Sequence, residues 1–418
     1  MTGATQLSVL LYGRPIATIQ RLPDDRTILI FESDYVEDTE RPTLSLGFKS
    51  DLGDLITDSK PARPPKIHPF FSNLLPEGTM RSYLARKAQV KPSREFFLLG
   101  ALGQDLPGAV TIKSHELDAE LGFDSEDTAA SSDHQENVDS DTILRFSLAG
   151  VQLKFSAVQE AAGGLTIPAR GVGGKWIVKL PSAAYTGVPE NEFSMMELAR
   201  QTGLNIPKTK LVGVDKIKAL PEGMGTLGGN ALAIQRFDRQ PDGESIHIED
   251  FAQVFGVYPD DKYEKVSYGN MAKVILLEAG EDAVIEFVRR LVFNAMIGNA
   301  DMHLKNWSLI YPDRRTPMIS PAYDLVSTIS YMPDDRKMAL SIDGIKDMYQ
   351  FSWERLEAFI SDARLPRTLI LNAVEETVAR FREAWEHSAD HLPLSKQHVE
   401  IINGHFPKVP IATDKRPR

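Results

Sequence analysis

The stretch Asn299-Ala-Asp-Met-His-Leu-Lys-Asn-Trp-Ser-Leu309 decides how this chain is read. It sets Asp301 and Asn306 in D-x4-N spacing, with His303 between them and Lys305 directly before the amide. A second acid, Asp324, follows in Ser320-Pro-Ala-Tyr-Asp-Leu325. Phosphoryl transfer needs one carboxylate to receive a hydroxyl proton, then an amide and a second carboxylate to hold Mg²⁺ on the ATP phosphates. Asp301 is the candidate base. Asn306 and Asp324 suit Mg²⁺, which takes hard oxygens and few protein ligands. Lys305 is placed to neutralise the transferring group. D-x4-N alone occurs by chance; the flanking His303, the Lys305-Asn306 pair and the later Tyr323-Asp324 give it weight.

A nucleotide site also needs a phosphate-gripping lysine. Lys179 lies in the β-rich run Lys175-Trp-Ile-Val-Lys-Leu180, which Pro181 ends. A lysine in that role predicts a carboxylate partner on the next helix. Pro189 opens that helix and Gly203 closes it, and both Glu192 and Glu197 qualify as partners. Glu192 is preferred, because it shares a face with Met196 and Ala199, and an acid on an apolar stripe needs a cation. The turn Phe146-Ser-Leu-Ala-Gly-Val-Gln-Leu-Lys154 is a weaker candidate. Its backbone at Gly150, Val151 and Gln152, with Lys154, is suited to covering the phosphates. No Walker A motif is present: Ala169 stands where its first glycine belongs, and Trp176 follows Lys175. Gly171 to Gly174 reads as a hairpin turn. His387 and His391, four apart without a third ligand, read as an exposed helix face. Trp176 and Trp307 read as core aromatics.

Around these motifs the chain divides into four parts. Residues 1–113 show short strands, a turn at Gly13-Arg-Pro15 and a helical pattern through Met80 and Leu84, a small α/β domain. Residues 114–141 form an acidic linker, expected to be mobile. Residues 142–244 are β-rich, with two strands expected around Ala149-Gly150 and another at 230–237. Residues 245–418 read as helical. Their clearest helix carries Val284, Phe287, Val288, Leu291, Val292 and Ala295 on one face and stops at Gly298. The expected class is α+β: the small domain, then a two-lobed protein-kinase-like fold with a helical C-lobe.

Composition agrees with a globular protein: 418 residues, 42% apolar and 25% charged. There are no cysteines, which excludes disulfides and thiol chemistry and fits a cytoplasmic location. No signal peptide or membrane span is expected. Net charge is −11, but residues 114–142 hold ten acids and no Lys or Arg, so the remainder carries −1. Composition therefore indicates no basic DNA-binding face. The basic end, Lys415-Arg-Pro-Arg418, reads as a frayed tail.

With these residues assembled, the chain resembles the HipA family of bacterial toxin Ser/Thr kinases. The matching segments are Phe71-Ser-Asn-Leu-Leu-Pro-Glu-Gly78, Phe97-Leu-Leu-Gly-Ala-Leu-Gly103, Pro107-Gly-Ala-Val110, Ser147-Leu-Ala-Gly-Val-Gln-Leu-Lys154, Asn191-Glu192, Arg236-Phe-Asp-Arg239, Gly298-Asn-Ala-Asp-Met-His-Leu-Lys-Asn306 and Ala322-Tyr-Asp324. The resemblance implies that Asp301 is the base, that Asn306 and Asp324 hold Mg²⁺, and that Lys179 contacts the ATP phosphates. It implies that Gln235 and Phe237 frame the adenine, and that Ser147 is an autophosphorylation site whose modification switches the enzyme off. Its implied partner is a HipB-like helix-turn-helix antitoxin dimer that carries the toxin to operator DNA. Its implied target is an aminoacyl-tRNA synthetase, chiefly the glutamyl one. Leu153 and Gln235 stand where the best-known members carry acids.

Two other readings share these residues. One is a co-repressor scaffold whose main work is strengthening an antitoxin's grip on DNA. The other is a small-molecule kinase of similar fold, since a catalytic loop does not name its acceptor.

Overall fold

The computed structural model describes residues 5–114, 153–159, 165–167, 174–182, 184–220 and 227–416. Ser147, Gly150, Val151 and Gln152, the Ala149-Gly150 turn, most of the acidic stretch and Gly171 to Gly173 lie outside these residues.

The N-terminal sheet is antiparallel, in the spatial order Thr27–Phe31, Arg14–Arg21, Gln6–Leu11, Val110–Lys113. The first hairpin turns at Tyr12-Gly13, not at Gly13-Arg-Pro15. Both turn residues have positive φ, 53° and 76°, the geometry a two-residue hairpin with right-twisted strands favours. Pro15 sits inside the second strand, opposite Leu10 where the register shifts, so its missing N–H falls at a bulge. Leu7, Val9 and Leu11 alternate onto one face and pack with Phe70, Phe71, Phe97 and Leu99 in this domain's core.

The second sheet has six strands, in the order Thr209–Gly213, Asn230–Gln235, Trp176–Lys179, Lys154–Gln159, Leu165–Thr166, Ile217–Lys218. Helix Val188–Gln201, with Pro189 in its first turn, packs on it through Met195, Met196, Leu198 and Ala199. Helix Gly78–Lys87 of the N-terminal domain reaches the same sheet: Met80 joins the core formed by Val178, Leu180 and Ala231.

The region after 245 is not wholly helical. His247–Asp250 pairs with Ser308–Tyr311, which pairs with Met318–Ile319, and a second small sheet joins Lys337–Ile342 to Ile345–Asp347. Ser308–Tyr311 is buried at all four positions, so no period-2 alternation marks it as a strand. Around these strands pack helices Tyr268–Ala279, Glu281–Ile297, Trp353–Ala363, Arg367–Ser388 and Lys396–His405. Helix Glu281–Ile297 ends at Gly298 with φ 68°, where a Cβ would fall 2.4 Å from Ile329. Only glycine fits there, and the Asn299–Leu309 stretch starts at the next residue.

Trp307 is buried as expected, whereas Trp176 is partly exposed. Arg416 meets Asn372 and Glu375, so the basic end is tied down up to that residue. Among the described residues no helix is long and apolar enough to cross a membrane.

The N-terminal domain is joined to the rest by buried polar contacts. Asp238 takes a bidentate bond from Arg236 (2.9 and 2.7 Å), Gly108 N at 2.9 Å and Arg239 at 2.8 Å. Glu249 accepts from Ser45 Oγ, Leu46 N and the Tyr311 hydroxyl. The motif Arg236-Phe-Asp-Arg239 thus serves the seam between domains.

Candidate active site

Lys179 projects from the end of its strand into the space between the six-stranded sheet and the helical region. It is buried, and its ammonium lies 2.6 Å from Glu192 Oε1 and against Asp324 Oδ1. Glu197 instead accepts from Thr209 at 2.8 Å and pairs with Arg200. Burial pushes the Lys179 pKa down, while Glu192 favours the charged form. Lys154 stands opposite Lys179 across the strand pair and so faces the same side, with an exposed side chain.

Asp324 reaches the lysine from a backbone with φ 55°, a left-handed conformation that costs a non-glycine residue about 1–3 kcal/mol. Two asparagines hold it there. Asn299 Nδ2 donates to the Asp324 carbonyl at 3.4 Å and to Asn294 Oδ1 at 2.8 Å, while Asn299 Oδ1 accepts from Asp301 N at 3.0 Å. Asn191, beside Glu192, exchanges two bonds with the Ser327 backbone, at 3.1 and 2.9 Å. One asparagine therefore links the Asp301 and Asp324 segments. The other clips the Asp324 segment to the helix that carries Glu192.

Asp301 has a side chain 54% exposed, and it accepts from the Tyr263 hydroxyl. Desolvation pushes its pKa up from the carboxylate value, opposed by the Tyr263 hydrogen bond and by Lys262. Asp301 adds to the field on Lys179. His303 is buried, with Nε2 3.9 Å from Asp301 and the Tyr263 ring edge-on at 5.0 Å. Burial and nearby Lys262 lower its pKa to about 3, so the imidazole is neutral. Asn306 gives Nδ2 to the Asp301 carbonyl at 2.8 Å, which leaves Oδ1 as its atom for a metal.

Sequence placed Lys305 at the transferring phosphoryl group. Its ammonium turns instead to Glu77 Oε1 at 2.5 Å and the Asn73 carbonyl at 3.1 Å, both in the N-terminal domain. Gln235 and Phe237 flank the end of their strand. Gln235 N donates to Lys208 O, and the Phe237 ring lies 5.7 Å from that of Tyr323. His387 lies on an exposed helix face, bonded to Glu383 O at 2.7 Å, and no group of three metal-binding side chains occurs among the described residues.

The donor set fits a nucleotide-bound Mg²⁺. Two ammoniums, Lys179 and Lys154, face three carboxylates, Glu192, Asp324 and Asp301, so negative charge is in surplus. Glu192 Oε2 is buried with no partner among the described residues. Asp324 and Asn306 are the hard-oxygen groups that would hold the ion, with phosphates and water completing its shell. A site of that kind needs no cluster of three protein acids.

Two family models match: the HipA N-terminal domain over residues 7–113 and the HipA-like C-terminal domain over residues 146–385. The chain belongs to the HipA family. A Sinorhizobium fredii protein named as a kinase, Y4dM, is 52% identical over 98% of both chains. The serine/threonine-protein kinase toxin HipA of Shewanella oneidensis is 26% identical over 88% of this chain and 86% of its own. In its solved complex with HipB and operator DNA, the Shewanella HipA fold superposes with a TM-score of 0.71. That match covers 96% of this chain and 95% of that one at 22% identity. The HipA fold, mixed helix and sheet with an N-terminal sheet domain before a larger kinase-like region, is thus the fold of this chain.

The sequence reading missed four residues of the site: Asn299, Asn191, Tyr263 and Glu77. Asn299, Asn191 and Glu77 sit inside quoted motifs but received no role. Tyr263 gave no signal of its own, since it acts across the fold on a loop distant in sequence.

Proposed function

We propose that this HipA-family chain is an ATP-dependent serine/threonine protein kinase, the toxin of a cytoplasmic toxin–antitoxin pair. Its target in this reading is a translation enzyme, an aminoacyl-tRNA synthetase such as the glutamyl one, and the outcome is growth arrest. The observation that carries the reading is Lys179, held between Glu192 and Asp324 beside the Asp301–Asn306 loop. A scaffold with no chemistry has no use for a buried lysine between two acids and a strained aspartate aimed at it.

Lys179 would grip the ATP α and β phosphates, oriented by Glu192. Lys154, Gly150, Val151 and Gln152 would cover the phosphates, and Gln235 and Phe237 would frame the adenine. Mg²⁺ on Asp324 and Asn306 would supply charge neutralisation at the phosphates. Asp301 Oδ1, now facing the Tyr263 hydroxyl, is where an acceptor hydroxyl would bind and leave its proton. His303, neutral and packed under Tyr263, would keep the floor of that site rigid.

Ser147 would accept a phosphate from the same site. A new charge of about −2 there cannot easily share a pocket with ATP, which would make the modification self-limiting. The partners in this reading are a HipB-like antitoxin dimer and, through it, operator DNA. Expression of wild type and Asp301→Asn in a host lacking the antitoxin tests the proposal. Arrest by wild type alone is expected; equal behaviour of the two chains contradicts it.

A further inference from the structure

The segment Phe71 to Gly78 carries a family resemblance, yet neither nucleotide nor acceptor chemistry uses it. Its Glu77 stands directly before helix Gly78–Lys87 and reaches out of the N-terminal domain onto the Asp301–Asn306 loop. Glu77 Oε1 accepts from Lys305 Nζ at 2.5 Å and Oε2 from Lys262 Nζ at 2.8 Å. Asn73, four residues earlier, gives its carbonyl to Lys305 at 3.1 Å and its side-chain amide to Val257 O at 2.8 Å.

The two lysines flank the chemistry. Lys305 immediately precedes Asn306. The Lys262 carbonyl accepts from Leu304 N at 3.3 Å, and the next residue, Tyr263, meets Asp301. One carboxylate from the N-terminal domain therefore spans both sides of the loop. The lysine side chains are each 14% exposed and that of Glu77 is 22% exposed, so water does little to replace these bonds. Burial pushes the Glu77 carboxyl up, but Lys305 and Lys262 override it and hold the pKa at about 2.

We infer that Glu77 is a positioning residue for phosphoryl transfer: through Lys305 it fixes Asn306 relative to Asp324, so the N-terminal domain supplies part of the kinase geometry. Neither Glu77 nor Lys305 touches the reacting atoms. The inference rests on the kinase reading above. Its physical basis is the general dependence of a metal ligand on the groups that orient it, where loss of an orienting partner costs about 10–100-fold in metal affinity or activity.

The test uses the full chain with Glu77→Gln, which keeps shape and removes charge. Self-phosphorylation is followed against Mg²⁺ concentration, and binding of a non-hydrolysable ATP analogue is followed by calorimetry with and without Mg²⁺. The variant should show half-saturating Mg²⁺ raised about tenfold and the Mg²⁺-dependent gain in analogue affinity lost, with metal-free analogue binding unchanged. Glu77→Asp, which keeps the charge, should recover part of both. A purely structural Glu77 would lower the unfolding temperature without moving the Mg²⁺ dependence, and that result overturns the inference. If Glu77→Gln does not fold, Glu77→Gln/Lys305→Met removes the buried Glu77–Lys305 pair together and leaves Lys262. Under the inference it still shows the weakened Mg²⁺ response, and a normal response overturns it. A wild-type chain that transfers no phosphate would remove the kinase reading. In that case calorimetry still decides whether Glu77 positions the metal ligand: that part of the inference stands if the variant alone loses the Mg²⁺ gain and falls if both chains bind alike.

Discussion

The Lys179 ammonium and the Glu192 carboxylate, thirteen residues apart in sequence, meet at 2.6 Å between a strand end and the helix packed on it. Asp324 closes on the same ammonium from the other side of the cleft. Lys179→Met should therefore do more harm than Glu192→Gln, because the latter leaves Lys179 with Asp324. ATP turnover should fall by about a hundredfold or more for the lysine variant and less for the glutamate variant. Steady-state assays with both proteins check the order, and the reverse order would show that Lys179 is a structural cation.

Tyr263 gives its hydroxyl to Asp301 Oδ1, the atom an acceptor would reach in the proposed reaction. Tyr263→Phe removes that competitor and leaves the ring against His303. Turnover should persist, with the KM for the acceptor unchanged or lower. A loss as deep as that of Asp301→Asn would instead place the tyrosine in the chemistry.

Glu249 is fully buried under Ser45, Leu46 N and Tyr311, and desolvation, partly offset by these bonds, raises its pKa to about 7. The sign follows from linkage. Between the ordinary glutamate value and about 7, the unfolded chain loses its proton while the folded chain keeps it, so stability falls as pH rises through that window. Its contribution is greatest below the unfolded pKa and is exhausted above about 7. Glu249→Gln, a neutral isostere, should flatten the slope of stability against pH between about 5 and 7, read by chemical denaturation across that range. An unchanged slope would assign the dependence to other groups.

Gly298 occupies φ 68° with Ile329 side-chain atoms 2.4 and 2.9 Å from where a Cβ would stand. Gly298→Ala adds about 1–3 kcal/mol of backbone strain and a steric clash. Both fall one residue before Asn299, which ties Asp301 to Asp324. A lowered melting temperature with turnover reduced beyond the loss of folded protein is expected. Full activity per folded molecule would separate this helix end from the loop.

The parts of the site legible in sequence were those whose chemistry is local. Asp301, His303 and Asn306 lie within six residues, and an acid on an apolar helix stripe requires a cation, which singled out Glu192. Contacts made across the fold left no such trace. Glu77 and Lys305 are 228 residues apart, and nothing in either neighbourhood requires the other. The strand Ser308–Tyr311 was hidden because it is buried on both faces, which erases the alternation a strand normally shows, and its partner His247–Asp250 because its inward residues, His247 and Glu249, are polar. The turn was placed a residue late, at Gly13-Arg-Pro15 and not Tyr12-Gly13, because Pro15 is the stronger turn signal, and only the bulge opposite Leu10 lets proline enter the strand.

The most direct test of phosphoryl transfer by this cleft is mass spectrometry of the purified chain after incubation with ATP and Mg²⁺. A phosphate on Ser147 of the wild type, absent from Asp301→Asn, is the expected result. The same phosphate on both proteins, or none on either, would contradict the role given to Asp301.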